Sequence, residues 1–355
     1  MYHNGLKSLL VAVFTTFLLG VSVEVSANDE AGTAKLDPAE VIMDHIKDAH
    51  EFHFFTLHKE DGSEFHATLP LPVIIFSDKK GLSIFSSSKF HHGHEAYNGY
   101  KLEHGKIHAV DPIEKIYDLS MTKNVVQMLI ALTILVVLMI GIANKYKRGQ
   151  GVTSAPKGWQ NAIEPVITFV RDEVAKPNLA GKYMKYLPYL LTVFFFILVN
   201  NIFGLFPGSA NVTGNIAFTI VLGVISFFVI LFSTNKHFWA HIFWYPGVPL
   251  PVRLLIMLPV ELLGVFTKPF ALIVRLFANM VAGHIIILSF ITLIFIFGSM
   301  SAVAGWGFSP LSVAFAVFIY LIEIMVAFIQ AFIFTNLTAV FIGQAFEGGH
   351  DDGHH

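Results

Sequence analysis

Apolar residues gather along this chain in long unbroken blocks. Three of them, at 125–143, roughly 187–206 and roughly 214–232, contain no charged residue. Each has about the ~20 residues an α-helix needs to cross a hydrocarbon core ~30 Å thick, and each is read as one membrane span. Two further blocks, 254–297 and 307–346, run to about forty residues apiece with almost no turn signal. At ~1.5 Å per residue either would be a helix ~60 Å long, twice the core. Neither has a polar loop in its middle where it could divide into two spans. The pattern therefore predicts two long, strongly tilted helices, with Pro259 and Pro269 placed to bend the first.

The polar positions arrange these blocks. Residues 159–176, WQNAIEPVITFVRDEVAK, are amphipathic and too charged to cross, which predicts a helix lying along the cytoplasmic surface. The loop 145–185 carries Lys145, Lys147, Arg148, Lys157, Arg171, Lys176, Lys182 and Lys185, whereas 207–213 and 299–309 carry no Lys or Arg. By the positive-inside rule the first span enters the cytoplasm there. The preceding region is then outside and the C-terminus inside.

Ahead of the first span, residues 28–117 are polar and hold ten of the 17 histidines. Two β-prone runs, FHATLPLPVIIF and LSIFSSSKF, flank SDKKG and predict a small β-hairpin. Earlier still, Lys7 precedes LLVAVFTTFLLGVSV and then Val25-Ser26-Ala27, a signal-peptide pattern over 1–27. The other reading is a short first span. His50 and His53, with His91, His92 and His94, have spacings that a metal ion accepts. A solvated, His-biased domain is the plainer reading, because no organised carboxylates accompany them.

Composition agrees: 54% of residues are hydrophobic and only 14% charged, with a mean hydropathy of +0.64, against about a quarter charged in soluble domains. The absence of cysteine excludes disulfides and thiolate metal sites. A net charge of −2 without a basic block points away from nucleic acid. No GxxxxGK[ST], HExxH or GxSxG pattern occurs. The expected fold is an all-α polytopic membrane protein of about five membrane helices, the last two long and tilted. A surface amphipathic helix, a small outer-side polar domain (28–117) and a His/Asp-rich tail (347–355) complete it.

Ionisable residues inside the apolar blocks are expensive, at ~2.5–3.5 kcal/mol or more near a bilayer centre, and so call for a function. Arg275 shares a helix face with Lys268 and Glu261, seven and fourteen residues away. Gly264, Ala271, Ala278, Asn279 and Ala282 make that stripe small enough for another helix to approach closely. The stripe suits either a surface along which something charged moves or static packing. His284 lies half a turn round from Arg275 and points to a neighbouring helix. Glu323 is the lone embedded charge of the last block, with Gln330 on its face and Asn336 beyond. A buried carboxylate and imidazole facing each other can pass a proton or form a fixed pair.

The stretch Arg275–Gly283, RLFANMVAG, resembles the Arg-Leu-Phe-x-Asn-Met-x-Ala-Gly signature of subunit a, the stator channel of the membrane sector of F-type ATP synthases. KPF before it and QAFIFTNLT after it resemble that family's flanking patterns, and the likeness covers roughly 118–346. It implies a non-catalytic, cofactor-free subunit of the bacterial inner membrane that carries protons through two half-channels. The implied partners are a rotor ring of c subunits and peripheral-stalk b subunits. Arg275 then resembles the arginine that meets the ring carboxylate, and Glu261 the acid of the cytoplasmic half-channel. Asn279 and Gln330 resemble the polar residues flanking the arginine, and Asp118 loosely resembles an aspartate ahead of the first span. Many bacterial members have Glu where this chain has His284 and His where it has Glu323; here the two are exchanged, as in mitochondrial-type relatives. The His-rich region lies outside the common pattern. A metal-ion secondary transporter with an outer histidine trap is the alternative, but it predicts repeated halves, which the chain lacks. A purely structural anchor would leave the arginine stripe unexplained.

Overall fold

The computed structural model describes residues 47–58, 64–93, 95–103, 105–111, 113–151, 154–206, 209–234 and 250–347. The expected signal peptide and all of the tail beyond Glu347 lie outside the described residues.

The N-terminal region is a β domain. Strands β1 (Glu51–His58) and β2 (Glu64–Pro70) form one antiparallel pair. β3 (Pro72–Ser77), β4 (Gly81–Ser86) and β7 (Ile116–Asp118) form a sheet in the order β4-β3-β7, and β5 (Tyr100–Glu103) pairs with β6 (Lys106–Ala109). The predicted hairpin is present as β3–β4, closed between Ser77 and Gly81. Its first run is not one strand, however. The break falls at Leu71, between two prolines that cannot donate to a ladder, and the FHATLP half pairs with β1 instead. Val73 and Ile75, alternating along β3, meet Phe90, Tyr100 and Ile107 in the domain's small core.

Among the described residues five helical stretches are long and apolar enough to cross a membrane. α1 spans Lys123–Lys147 and ends with Lys145 and Lys147 beside its exposed carbonyls, where cations complement the helix dipole. α2 (Trp159–Phe169) runs through a π-helical turn, Val170–Ala175, and two short turns into α3 (Tyr183–Gly204). α4 covers Ile216–Ser233, its start capped by the Asn215 side chain accepting from Ala217 N at 2.9 Å. α5 (Leu258–Met300, 43 residues) and α6 (Ala302–Glu347, 46 residues) are uninterrupted, as predicted. At ~1.5 Å per residue both are about twice the hydrocarbon thickness, so they cross it obliquely. Hydroxyls within the apolar stretches, such as those of Thr133, Thr292, Thr335 and Thr338, donate to the carbonyl four residues back, which satisfies them without a partner helix.

α5 and α6 form an antiparallel pair at the centre, with α3 against α6, α4 against both, and α1 against α3. At the closed end of the pair the Phe297 and Phe308 rings stack 3.9 Å apart. The core lies between α3, α5, α6 and the segment after α2, and includes Phe194, Ile197, Leu272, Leu276, Phe334 and Ile342. The amphipathic segment is thus more than a surface helix. Trp159 is 72% exposed, but Val170, Val174, Ala175 and Leu179 are completely buried. Those apolar residues dock on the bundle, and Phe169 packs on Phe328 and Phe332 of α6.

Candidate functional site

α5 and α6 bring the buried ionisable groups together. Nδ1 of His284 lies 2.8 Å from Oε1 of Glu323, and Nε2 lies 2.9 Å from the carbonyl of Gly204 at the end of α3. A carbonyl only accepts, so Nε2 carries a hydrogen in this arrangement. The other contact then holds one proton, either on Nδ1 facing a carboxylate or on the carboxyl group facing a neutral ring. A proton can pass between the two without movement of heavy atoms. Gly283 makes room for this: a Cβ there would sit 2.5 Å from Oε1 and 2.8 Å from Cδ of Glu323.

Glu323 is 3% exposed and Gln330, seven residues along α6, is 2% exposed. The Gln330 side chain accepts from Asn279 Nδ2 at 3.0 Å, linking the two helices. Asn336 turns elsewhere and accepts from Asn178 at 3.0 Å.

Sequence reasoning passed over a second group of polar residues. Asn200 and Asn201 of α3 and Thr213 of the α3–α4 turn are completely buried, and Asn201 donates to Ala327 O, one turn from Glu323. The Oδ1 atoms of both asparagines, Thr213 Oγ1 and Glu323 Oε2 have no hydrogen-bond partner among the described residues. Such atoms each cost ~1–3 kcal/mol if dry and are normally met by water. An Asn-Asn pair inside an otherwise apolar span was the available signal. The same turn is gripped from α1: Gln127 accepts from Ala210 N at 2.7 Å and donates to Ala210 O.

Arg275 lies on the other side of α5. It is half-buried, and among the described residues no hydrogen bond or ion pair holds its guanidinium. Around it Ala271, Ala278, Asn279 and Ala282 are exposed, and a Cβ on Gly264 would meet nothing within 4 Å. The small stripe is therefore open, not packed within the chain. Lys268 is engaged, donating to Gln344 Oε1 at 3.1 Å with the Phe341 ring 5.1 Å away. Glu261, at the start of α5, is half-buried.

Among the described residues the candidate metal histidines do not converge. His50 is buried 3.4 Å from Asp118 Oδ2, His53 is exposed, and His91 lies 3.8 Å from Glu95. The His92 side chain and His94 lie outside the described residues. Among the described residues no three His, Cys, Asp or Glu side chains form a metal-holding group. Burial pushes the Asp118 carboxyl up, but the His50 imidazole beside it and hydrogen bonding with Ser120 outweigh that and leave the group below the ordinary carboxylate value.

The fold and site define a multi-span membrane protein with titratable groups inside its helical bundle and an arginine on its open face that has no counter-charge among the described residues. Residues 125–343 match the family described as ATP synthase A chain, and residues 41–128 match a domain of unknown function (DUF8433). The chain is 48% identical over 241 residues to ATP synthase subunit a of Chloroherpeton thalassium, covering 66% of this chain and 69% of that protein. It is 40% identical over 356 residues to ATP synthase subunit a 2 of Prosthecochloris aestuarii, covering 97% and 95%. It is 42% identical over 246 residues to ATP synthase subunit a of Anaeromyxobacter dehalogenans, covering 67% and 61%. The chain belongs to the ATP synthase subunit a family. It is accordingly a membrane-integral, non-catalytic subunit of the membrane sector of an F-type ATP synthase, acting in complex with other subunits. The similarity to the Prosthecochloris protein extends through the N-terminal region, so that region is not peculiar to this chain.

Proposed function

We propose that this subunit is the stator channel through which protons reach and leave a rotor ring of c subunits. The observation that carries this reading is the contrast between the two sides of α5: an Arg275 unpaired among the described residues on an open stripe of small residues, and a hydrogen-bonded His284–Glu323 pair within. A permanent charge facing outward from a bundle in lipid requires a counter-charge from another chain, and a ring carboxylate supplies one.

A proton enters from the outer side, passes the His284–Glu323 pair and neutralises a ring carboxylate. The neutral acid can enter lipid, whereas the carboxylate cannot without a large desolvation cost. The ring turns until that site nears the cytoplasmic half-channel at Glu261, where the proton leaves. Arg275 then holds the emptied carboxylate, with Asn279 and Gln330 beside it, and blocks direct leakage between the two half-channels. Guanidinium suits this role because it does not lose its charge. Peripheral-stalk b subunits hold the stator against rotation, the protein resides in the bacterial inner membrane, and the N-terminal domain lies on the periplasmic side.

The test is proton pumping by vesicles that carry the whole complex. Arg275→Ala and Arg275→Lys should both abolish ATP-driven acidification while the complex assembles. Normal acidification with Arg275→Lys would sink the assignment.

A further inference from the structure

The β domain forms a direct seam with the membrane helices. Phe52 of β1 and Leu71 pack on Ala210 of the α3–α4 turn, with Val126 of α1 against them. Lys123 N donates to Ala49 O at 2.9 Å and Met121 N to Pro72 O at 3.2 Å. Apolar contact alone would hold such a seam, yet it also encloses polar groups. His50 is 4% exposed and Asn124 is 7% exposed. Both ring nitrogens of His50, Thr122 Oγ1 and Asn124 Oδ1 are buried without a hydrogen-bond partner among the described residues. Groups so placed are costly when dry and are normally met by water.

The seam opens outward at Asp118, whose side chain is 34% exposed and whose Oδ2 lies 3.4 Å from His50 Nε2. Among the described residues, Asp48 and Glu51 are the charged neighbours on its own segment, and Lys123, whose backbone N donates to Ala49 O, stands at the head of α1. Asp48 Oδ1 accepts from Ala49 N at 3.0 Å and from Asn124 N at 3.3 Å. Inward, the polar groups continue: Gln127, one turn along α1 from Asn124, holds Ala210 by both backbone groups. Asn211 follows, donating to Met280 O at 3.4 Å. A Cβ on Gly204 would lie 3.4 Å from Asn211 Oδ1, and Gly204 is the residue whose carbonyl accepts from His284.

We propose that His50 and Asp118 are the proton-collecting station of the inlet, and that protons reach the His284–Glu323 pair through the seam between the β domain and α1. This rests on the channel reading above and gives the domain of unknown function a part in it. Asp118 or His50 takes a proton from bulk water, and the imidazole passes it to water in the seam beside Thr122 and Asn124. Only N–H and O–H bonds form and break, and each group returns to its starting state.

The test is proton conduction by the whole complex in proteoliposomes, with pH varied on the side of the β domain. His50→Gln should slow conduction by about tenfold near pH 8, where free protons are scarce, and far less near about pH 5.5. Asp118→Asn, at a partly exposed position, should show the same profile and guards against a folding defect in the first variant. Equal loss at both pH values, or no loss at either, would overturn the proposal. In this cysteine-free chain, Thr122→Cys should react with a small hydrophilic thiol reagent applied from that side; no reaction would show the seam to be dry and also overturn it. Glu323→Gln separates the two readings. If it conducts normally the channel itself is wrong, whereas a blocked Glu323→Gln beside an unaffected His50→Gln removes only the station.

Discussion

Removal of one partner of the His284–Glu323 pair tests the relay most directly. Glu323→Gln is the mildest perturbation, because the amide still fills the space beside Gly283 and can donate to Nδ1 of a neutral His284. The fold should survive, but the group that takes up the proton is gone. The contact is short, at 2.8 Å, and Glu323 is 3% exposed, so with the proton on Nδ1 it is a charge-assisted bond screened from water. Such bonds contribute ~1.5–3 kcal/mol, or about ten- to 150-fold at 1.36 kcal/mol per decade. His284→Gln should therefore cut proton conduction, and so should Glu323→Gln. The double variant should lose less than the product of the two, with a coupling energy of that same ~1.5–3 kcal/mol. The exchange His284→Glu with Glu323→His keeps one carboxyl and one imidazole and should recover part of the flux. The assay is conduction by the assembled complex in proteoliposomes under a fixed potential. Strictly additive losses, together with an exchange that restores nothing, would refute the relay.

Three other outcomes follow from the geometry. Gly283→Ala would place a methyl group 2.5 Å from Glu323 Oε1; it should displace the carboxylate at a cost of ~1–3 kcal/mol and depress conduction, which thermal denaturation and flux assays check together. Cysteines introduced at Ser88 and Ser154, both exposed, should label from opposite sides of intact cells, and labelling of both from outside would reject the proposed sidedness. Asp118 has a folded pKa below its ordinary 3.8, so its contribution to stability is complete above that value and disappears as pH falls through the lower folded one; Asp118→Asn should lower the melting temperature at neutral pH and flatten the acid end of the profile, where wild type and variant converge.

The spans were legible in the sequence because lipid permits so few backbone solutions. The long apolar blocks have no alternative but helix, and the continuity of 254–297 and 307–346 predicted α5 and α6 as undivided. Arg275, His284 and Glu323 stood out for the same reason, since an ionisable residue in hydrocarbon is too costly to be incidental. Helical phase alone put His284 on the side away from Arg275, where the structure has it. Asn200, Asn201 and Thr213 did not stand out, because an uncharged polar group costs far less in a span and draws attention only once neighbouring helices enclose it. The β domain was only partly readable. Alternation marked β3 and β4, but the division of the first run at Leu71 depended on a pairing with β1, more than ten residues upstream. His50 gave no sign of burial, since its contacts with Asp118 and the head of α1 are made by the fold.

The placement of charge across α5 follows from what each group can do with a proton. Nine residues at ~100° each carry the chain through two and a half turns, so Arg275 and His284 emerge on opposite sides of one helix. The pair inside can share its proton as two neutral groups, and it is enclosed by α3 and α6 at little electrostatic cost. Arginine has no neutral form to retreat to, so enclosure without a carboxylate partner would be prohibitive. It stays at the open stripe, where Ala271, Ala278 and Ala282 let another helix come close enough to bring that partner. Asn279 and Gln330 join the two sides: Asn279 is exposed on the stripe, while Gln330 is buried on the same face of α6 as Glu323. A proton leaving the pair for the stripe has this amide bridge beside it and the fixed positive charge of Arg275 beyond, which repels it from the far half of the stripe.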